Sequence, residues 1–271
     1  LHPVAHSFPT RRSSDLEFER SAVEKIIRNY TSEAGVRNLE RNIATVCRKV
    51  AREIVSARYG KKVTKKKITA RNIQRYLGIK KIHDKRIEKT NQVGMAVGLA
   101  WTPVGGDILN VETTVLHGKG ELILTGHLGD VMKESARAAL SYTKANMKKL
   151  CIKPRAFDKK DIHIHVPEGA IKKDGPSAGV SIITSLVSAV SGKPVSRDVA
   201  MTGEITLRGN VLSIGGLKEK TLAAKRSGIK RVIVPRKNEA DIKELPKEIR
   251  ESLEFILADH VDDVINHAIV R

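Results

Sequence analysis

Residues 176–190 (PSAGVSIITSLVSAV) constrain the fold more than any other segment, because they contain no charged residue. Proline suits the first turn of a helix, so we predict a helix that begins at Pro176. A mostly apolar helix has to be buried. No apolar run in the sequence approaches the roughly 20 residues that cross a bilayer, so other elements of the same chain must enclose this helix.

The sequence from residue 91 onward supplies those elements, because strand and helix patterns alternate there. Strand-like segments occur at 93–100, 108–116, 121–126, 161–166, 199–206, 211–214, 231–234 and 253–257. Helical spacing predicts helices at 131–150, 176–190 and 217–227, near residue 239 and from residue 261. The pattern indicates a mixed α/β or α+β domain over residues 91–271, a usual size for one core.

Residues 17–78 show helical spacing, with predicted helices at 21–28, 36–57 and 70–77. We therefore predict a small all-α subdomain, followed by a charged linker at 79–90. Residues 1–16 are excluded from the fold prediction, because HSFPTRRSSDL resembles one reading frame of a sequencing-library adapter. The alternative is a disordered tail. If the segment is an adapter translation, the natural chain was interrupted upstream of Glu17 and this chain is a fragment.

The positive charge of the chain is concentrated in its first third. Residues 17–90 contain 21 Lys and Arg against 8 Asp and Glu, a net charge of +13, whereas residues 91–271 carry +6. This imbalance predicts accessory DNA binding through residues 17–90. The alternative is a solvated helical face, since aromatic residues, at 3%, offer few stacking platforms. Two cysteines, no apolar leader and no membrane span favour a cytoplasmic protein with no membrane partner.

Ser177 is the first candidate for chemistry. It follows Pro176 at the predicted start of the apolar helix, where unpaired N–H groups favour an oxyanion. The alternative is a serine that caps the helix. GPSAG also fits the G-x-S-x-G pattern of α/β-hydrolases, but that pattern needs a strand running directly into the serine, and here a charged loop intervenes. An esterase that uses Asp259 or His260 is therefore the second hypothesis.

Lys220, in the segment GGLKEKTLAA, is the second candidate. A lysine acts as a general base near neutral pH only if burial lowers its pKa from about 10.4. Two preceding glycines and the following Leu222, Ala223 and Ala224 provide small, apolar neighbours. Lys218 and Lys225 are expected to face solvent. Taken alone, the pattern also fits an ordinary surface lysine.

Several long motifs occur in a fixed order around these two residues. They read GVRNLER at 35–41, GLAWTPVGG at 98–106, HIHVPEGA at 163–170, KKDGPSAG at 172–179, TGEITLRG at 202–209 and IGGLKEK at 214–220. In this order they resemble the proteolytic domain of the Lon family of ATP-dependent proteases, and the resemblance covers residues 17–271. It implies an AAA+ C-terminal helical subdomain at 17–78 and a Lon-type proteolytic domain at 91–271.

The resemblance also implies a role for each matching residue. Ser177 matches the nucleophile and Lys220 the general base of a serine–lysine dyad, and Thr202 matches a residue that orients the lysine amine. Asp174 matches a loop aspartate linked to switching between active and inactive arrangements. Arg37 matches an arginine that senses nucleotide in AAA+ modules. The family further implies a homo-hexamer that degrades misfolded and regulatory proteins with ATP and Mg²⁺.

No G-x-x-x-x-G-K-[S/T] loop occurs in the sequence. We therefore expect ATP and Mg²⁺ to be bound mainly by an upstream core that this chain lacks, and peptide hydrolysis to need no cofactor. His163, His165 and Asp161 lack a metal-site pattern, so no metal is expected. Trp101 is expected in a core or an interface. Three hypotheses remain: a serine–lysine peptidase, a histidine-base esterase, and a basic nucleic-acid-binding module without chemistry.

Overall fold

A computed structural model describes residues 16–33, 35–57, 65–82, 90–168 and 173–270. The chain divides into two compact units, Leu1–Asp84 and Lys85–Arg271. This division falls inside the predicted linker at 79–90, most of which lies outside the described residues. Residues 1–15 of the predicted tail also lie outside them. Across the described ranges, no helix is both long enough and apolar enough to cross a membrane.

The first unit is built on three helices, α1 (Arg20–Tyr30), α2 (Arg37–Ala57) and α3 (Ile73–Leu77). Their buried side chains, including Ile26, Val46 and Ile73, form one core. The all-α prediction needs a correction, because β1 (Leu16–Phe18) pairs in parallel with β2 (Lys66–Ile68). Strands of three residues are too short to leave an alternating pattern in the sequence. Leu16, assigned to the tail, belongs to this pairing.

The second unit contains a seven-stranded mixed sheet in the order β11-β10-β7-β3-β4-β6-β5. Its strands are β3 (Met95–Thr102), β4 (Gly105–His117), β5 (Leu122–Thr125), β6 (Lys160–His165), β7 (Val199–Met201), β10 (Arg231–Pro235) and β11 (Glu254–Ala258). Strand β4 pairs antiparallel with β3 and β6, and the other pairs are parallel. A separate hairpin joins β8 (Glu204–Ile205) to β9 (Val211–Leu212). The mixed α/β fold class is therefore confirmed.

Six helices complete this unit within the described residues: α4 (Asp130–Ala145), α5 (Gly179–Ser191), α6 (Leu217–Ser227), α7 (Glu239–Glu244), α8 (Lys247–Arg250) and α9 (Val261–Ala268). Two apolar cores lie on opposite faces of the sheet, because successive strand residues point to opposite sides. One core contains the buried residues of α4, α5 and α9, and the other contains those of α6 and α8. Helix α5 is buried along most of its length, as its composition predicts.

One predicted strand is divided where the candidate site lies. The segment predicted at 199–206 forms β7 and β8, separated by Thr202 and Gly203. Here the chain leaves the sheet and bonds the segment around Ser177: the Gly203 N–H donates to the Ser177 carbonyl, and the Gly203 carbonyl accepts from Val180. The break therefore brings Thr202 close to the candidate nucleophile.

Candidate active site

Ser177 lies in one turn of 3-10 helix, Pro176–Ala178, immediately before α5. The helix-cap alternative is wrong, because the N-cap residue of α5 is Ala178 and no side chain caps it. Ser177 is half-buried. Its main-chain carbonyl, rather than its hydroxyl, carries the hydrogen bonds that fix this turn to Thr202 and Gly203.

Lys220 lies in the first turns of α6 and is only 2% exposed. Burial lowers its pKa from 10.5 to about 8, because an ammonium group loses its hydration there. No carboxylate among the described residues offsets that loss. A large fraction of the amine is therefore neutral in mildly alkaline solution.

Thr202 joins the two candidates. The Lys220 amine donates to the Thr202 hydroxyl over 3.2 Å, and that hydroxyl donates to the Ser177 carbonyl over a long 3.5 Å contact. Thr202 is 1% exposed. Within the described residues, no hydrogen bond joins the Ser177 hydroxyl directly to the Lys220 amine. The structure thus brings Ser177, Thr202 and Lys220 together but does not bond the nucleophile to its candidate base.

The surroundings of Lys220 differ from the expectation in one respect. Ala223 and Ala224 are buried, but Leu222 is 44% exposed and does not shield the amine. Strands β3 and β4 cover this side of α6 instead. Lys218 is exposed, as expected, whereas Lys225 is half-buried in an ion pair with Glu248. Leu222 and Lys225 are near Lys220 in the sequence, but their surroundings differ from those that were expected. Near neighbours in the sequence therefore predict the environment of a helical side chain poorly.

Asp174 is exposed and has no bond to Ser177 or Lys220 among the described residues. Its carboxylate accepts from the N–H groups of Gly175 and Met132, at 3.0 and 3.3 Å. It also lies over Gly129, the N-cap of α4, where any Cβ would collide with the carboxylate. Asp174 thus supplies the acceptor that the N-terminus of α4 lacks and anchors the segment leading to Ser177 there.

A cleft of about 140 Å³ opens beside Ser177. Its wall is largely apolar and includes Leu99, Trp101, Leu109 and Met132, with Asp174 at one side. Trp101 is 58% exposed, so of the two expected positions, a core or an interface, the core is wrong and the interface stays a prediction. Ser177 lies at the wall of this cleft.

The residues of the second hypothesis are engaged elsewhere. The His260 ring caps α9 by accepting from the Asp262 N–H, and its other nitrogen lies 3.0 Å from the Arg208 carbonyl. Asp259 forms an ion pair with Arg236. The strand β6 ends at His165, well before the serine turn, so the nucleophile elbow of an α/β-hydrolase is also missing. Among the described residues, no histidine bonds Ser177 in the way that a general base would.

The other predicted residues of the second unit bond groups other than Ser177 and Lys220. His163 and His165 both contact the Thr125 hydroxyl, at 2.9 and 2.7 Å, and Asp161 accepts from the N–H groups of Gly120 and Glu121. In the part of the chain that is described, no three ligand-type side chains converge on a metal position. Arg37 belongs to the other unit, where it is the exposed first residue of α2.

Sequence reasoning missed one residue of this region. A Cβ at Gly106, the second of the two glycines that end the GLAWTPVGG motif, would lie 1.9 Å from the Glu219 carbonyl oxygen in α6. The paired glycines were the available signal. They mark a close backbone approach as well as a turn.

A half-buried serine at the start of a buried helix, close to a buried lysine with a lowered pKa, fits the class of serine hydrolases. Comparison with known proteins identifies the family. Residues 67–271 match the profile described as the Lon protease (S16) C-terminal proteolytic domain, and residues 11–66 match the Lon protease AAA+ ATPase lid domain. The chain belongs to the Lon protease family, and its proteolytic domain is that of a serine peptidase.

The chain is similar to curated Lon proteases along almost its whole length. It is 54% identical to a Lon protease of Bacillus thuringiensis and 53% identical to Lon protease 1 of Bacillus subtilis, each over 96% of the chain. It is 52% identical to a Lon protease of Azospirillum brasilense, again over 96%. These matches cover 32%, 33% and 32% of the relatives, so the chain spans about a third of their length.

Proposed function

We propose that the chain is a serine endopeptidase in which Ser177 is the nucleophile and Lys220 the general base. One observation carries the proposal. Lys220 is buried, its pKa is lowered to about 8, and its amine is bonded to a threonine that also contacts the Ser177 turn. A neutral amine at this position has a lone pair that can accept the serine proton.

In the proposed reaction, the Ser177 hydroxyl turns toward Lys220 and loses its proton to the amine as Oγ attacks the peptide carbonyl carbon. The oxyanion formed is stabilised by N–H groups at the start of α5. The C–N bond then breaks, and the Lys220 ammonium returns the proton to the leaving amine. Water attacks the acyl-enzyme and loses a proton to Lys220. As the ester bond breaks, the Lys220 ammonium returns this proton to Ser177 Oγ, which restores both residues.

Thr202 and Asp174 support this reaction in different ways. The Thr202 proton is directed to the Ser177 carbonyl, so its oxygen accepts from the amine and leaves the lone pair of Lys220 free. Asp174 holds the serine segment on the N-terminus of α4. Release of that contact would let the Ser177 turn move relative to Lys220, which suits a switch between inactive and active arrangements.

The test is hydrolysis of a fluorogenic peptide by the 271-residue chain and by Ser177→Ala, Lys220→Ala and His260→Ala. Both dyad variants should lose activity, while His260→Ala, if it remains folded, should keep it. Cleavage that survives in Lys220→Ala would reject the dyad. Loss in folded His260→Ala would favour the esterase-type mechanism.

For the intact protein we propose the role that the resemblance to the Lon family implies. A homo-hexamer in the cytoplasm would degrade misfolded and regulatory proteins, with ATP and Mg²⁺ bound mainly by a core upstream of this chain. Arg37 would sense that nucleotide from the lid. Peptide hydrolysis itself would need no cofactor. Sedimentation of the intact protein with and without ATP tests the assembly.

An accessory DNA-binding role has its own support in the first unit. Helix α2 exposes Arg37, Arg41, Arg48 and Arg52. Their spacing of 4, 7 and 4 residues places them within about 60° on one side of the helix. Within the described residues, no salt bridge engages this arginine face, although other basic residues of the unit pair with its acids. A row of exposed guanidinium groups suits a phosphate backbone.

A further inference from the structure

The helix that carries Lys220 is held directly against the β3–β4 hairpin. A Cβ on Gly106, the second residue of β4, would lie 1.9 Å from the Glu219 carbonyl oxygen and 3.0 Å from the Lys220 nitrogen. Even the smallest side chain is excluded there. The β4 backbone therefore touches α6 at the peptide unit that precedes the candidate base.

Two further contacts lie on either side of this point. Gly216, the N-cap of α6, has a φ of +67° and packs against Trp101, whose Cβ would be 3.2 Å from a Cβ on the glycine. Toward the other end of α6, the Arg226 guanidinium donates to the Gly106 carbonyl over 2.8 Å. The three contacts fix both the position and the rotation of α6 relative to the hairpin.

The same hairpin forms part of the substrate cleft. Trp101, Thr102, Asp107 and Ile108 line the cleft beside Ser177. One rigid hairpin thus contacts the cleft and the helix of the base. Because a general base must come within about 2.6–3.2 Å of the proton it accepts, a shift of α6 by one ångström changes the reaction geometry.

We infer that the β3–β4 hairpin positions Lys220 for the reaction through Gly106 and Arg226, two positioning residues that do not themselves touch the substrate. This inference rests on the proposed role of Lys220 as the general base. It gives the paired glycines of the hairpin a functional reason, and it explains why an exposed arginine on α6 bonds a backbone carbonyl of the cleft hairpin.

The test combines kinetics with a titration that needs no turnover. Gly106→Ala, Arg226→Ala and Arg226→Lys are prepared in the 271-residue chain, and kcat and KM are measured with a fluorogenic peptide. The ionisation of Lys220 is followed by the ¹³Cε shift of labelled lysine, assigned with Lys220→Met. Gly215→Ala is the glycine control, because its surroundings are open, and Lys218→Ala removes one exposed charge from the same helix.

Gly106→Ala should lower kcat by about a hundredfold with little change in KM, since a displacement of about 1 Å costs this much. The pKa of Lys220 should rise above 8 toward the ordinary lysine range, because the displaced amine regains hydration. Arg226→Ala should change kcat and the pKa of Lys220 in the same directions, but by less. Arg226→Lys should recover part of the loss in kcat. Both controls should behave like the unmodified chain.

The inference would be overturned if Gly106→Ala folds and its kcat and the pKa of its Lys220 both equal those of the controls. If Gly106→Ala does not fold, unchanged values in Arg226→Ala overturn it instead, because loss of this exposed hydrogen bond leaves the core intact. Ser177→Ala and Lys220→Ala belong to the same series. If Lys220→Ala is active, the proposed function is rejected. If it is inactive while Gly106→Ala and the Arg226 variants behave like the unmodified chain, only the positioning role is rejected.

Discussion

The Lys220 amine and the Thr202 hydroxyl lie 3.2 Å apart in an almost fully buried position. A buried lysine usually pairs with a carboxylate, which stabilises its ammonium form. Here the partner is a neutral hydroxyl, and burial lowers the pKa to about 8. Burial at this position therefore favours the neutral amine above about pH 8.

Lys220→Arg should be nearly as inactive as Lys220→Ala. Arginine keeps its charge at every accessible pH and cannot accept the serine proton, so both variants should lose at least about a hundredfold in kcat. For the unmodified chain, kcat should rise with pH through about 8, as the amine loses its proton. Peptide hydrolysis across a pH series checks both points. Substantial activity in Lys220→Arg would remove the base role from this residue.

Lys220→Met should stabilise the folded chain at neutral pH. The folded pKa of Lys220, about 8, is below its unfolded value of 10.5, so the unfolded chain binds more protons between these two values. Below pH 8 the buried charge costs about 3 kcal/mol, from 1.36 kcal/mol per pH unit. The stability of the unmodified chain should rise from pH 8 to 10.5 and the advantage of Lys220→Met should vanish. Urea unfolding at pH 7 and pH 10.5 measures the free energy of unfolding of both proteins. A Lys220→Met variant that is more stable by the same amount at the two pH values would contradict the prediction.

Thr202→Val should lower kcat by about tenfold or more, because the amine loses the hydroxyl that directs its lone pair. Valine keeps the shape, and Thr202→Ser should preserve the activity. Thr184→Val is the matched control, since its buried hydroxyl bonds only the Val180 carbonyl within α5. Equal rates for Thr202→Val and Thr184→Val would leave Thr202 with a packing role alone.

The elements of the second unit were predictable because their patterns are long. The buried helix α5 follows from an uncharged segment, and α6 follows from helical spacing between glycines. The alternation of strands and helices indicated the mixed fold. These features depend on local sequence, which specifies element type well but not how distant elements meet.

What could not be predicted depends on contacts between distant residues. Leu16 pairs with Lys66, and Gly106 contacts Glu219, although the two residues of each pair are distant in the sequence. Trp101 and Leu222 are exposed, although the local pattern does not distinguish them from buried apolar residues. The division of the strand at Thr202 is another case. It arises because Gly203 bonds the Ser177 carbonyl instead of continuing the sheet. At the candidate site, the family motifs predicted Ser177, Thr202 and Lys220, and the structure supplied the distances that relate them.

DNA binding should depend on the arginine face of α2. Replacing Arg41, Arg48 and Arg52 together by Ala should weaken DNA binding. The slope of log K against the logarithm of the salt concentration should become less steep by about three times 0.9, because fewer counterions are released for each phosphate contact that is lost. The matched control replaces Lys153, Lys218 and Lys237, three exposed residues of the other unit. Fluorescence anisotropy with duplex DNA at several salt concentrations measures both. Equal weakening in the two triple variants would show that only net charge matters.

The 271-residue chain should cleave short or unfolded peptides slowly and should leave stably folded proteins intact. Unfolding a substrate takes work against roughly 5–15 kcal/mol, and nucleotide hydrolysis is the usual source of that work. The sequence contains no phosphate-binding loop, so added ATP should leave the peptidase rate unchanged. If assembly completes the active site, the specific rate of peptide cleavage should increase with protein concentration.

The measurement compares a folded fluorescent protein with an unfolded casein-like substrate, each with and without ATP and Mg²⁺. Ser177→Ala serves as the control for contaminating proteases. Slow loss of the unfolded substrate, independent of ATP and absent in Ser177→Ala, is the expected result, because the dyad needs only an extended peptide in the cleft. ATP-stimulated loss of the folded substrate would mean that these residues bind and hydrolyse nucleotide by a route that the missing loop does not predict.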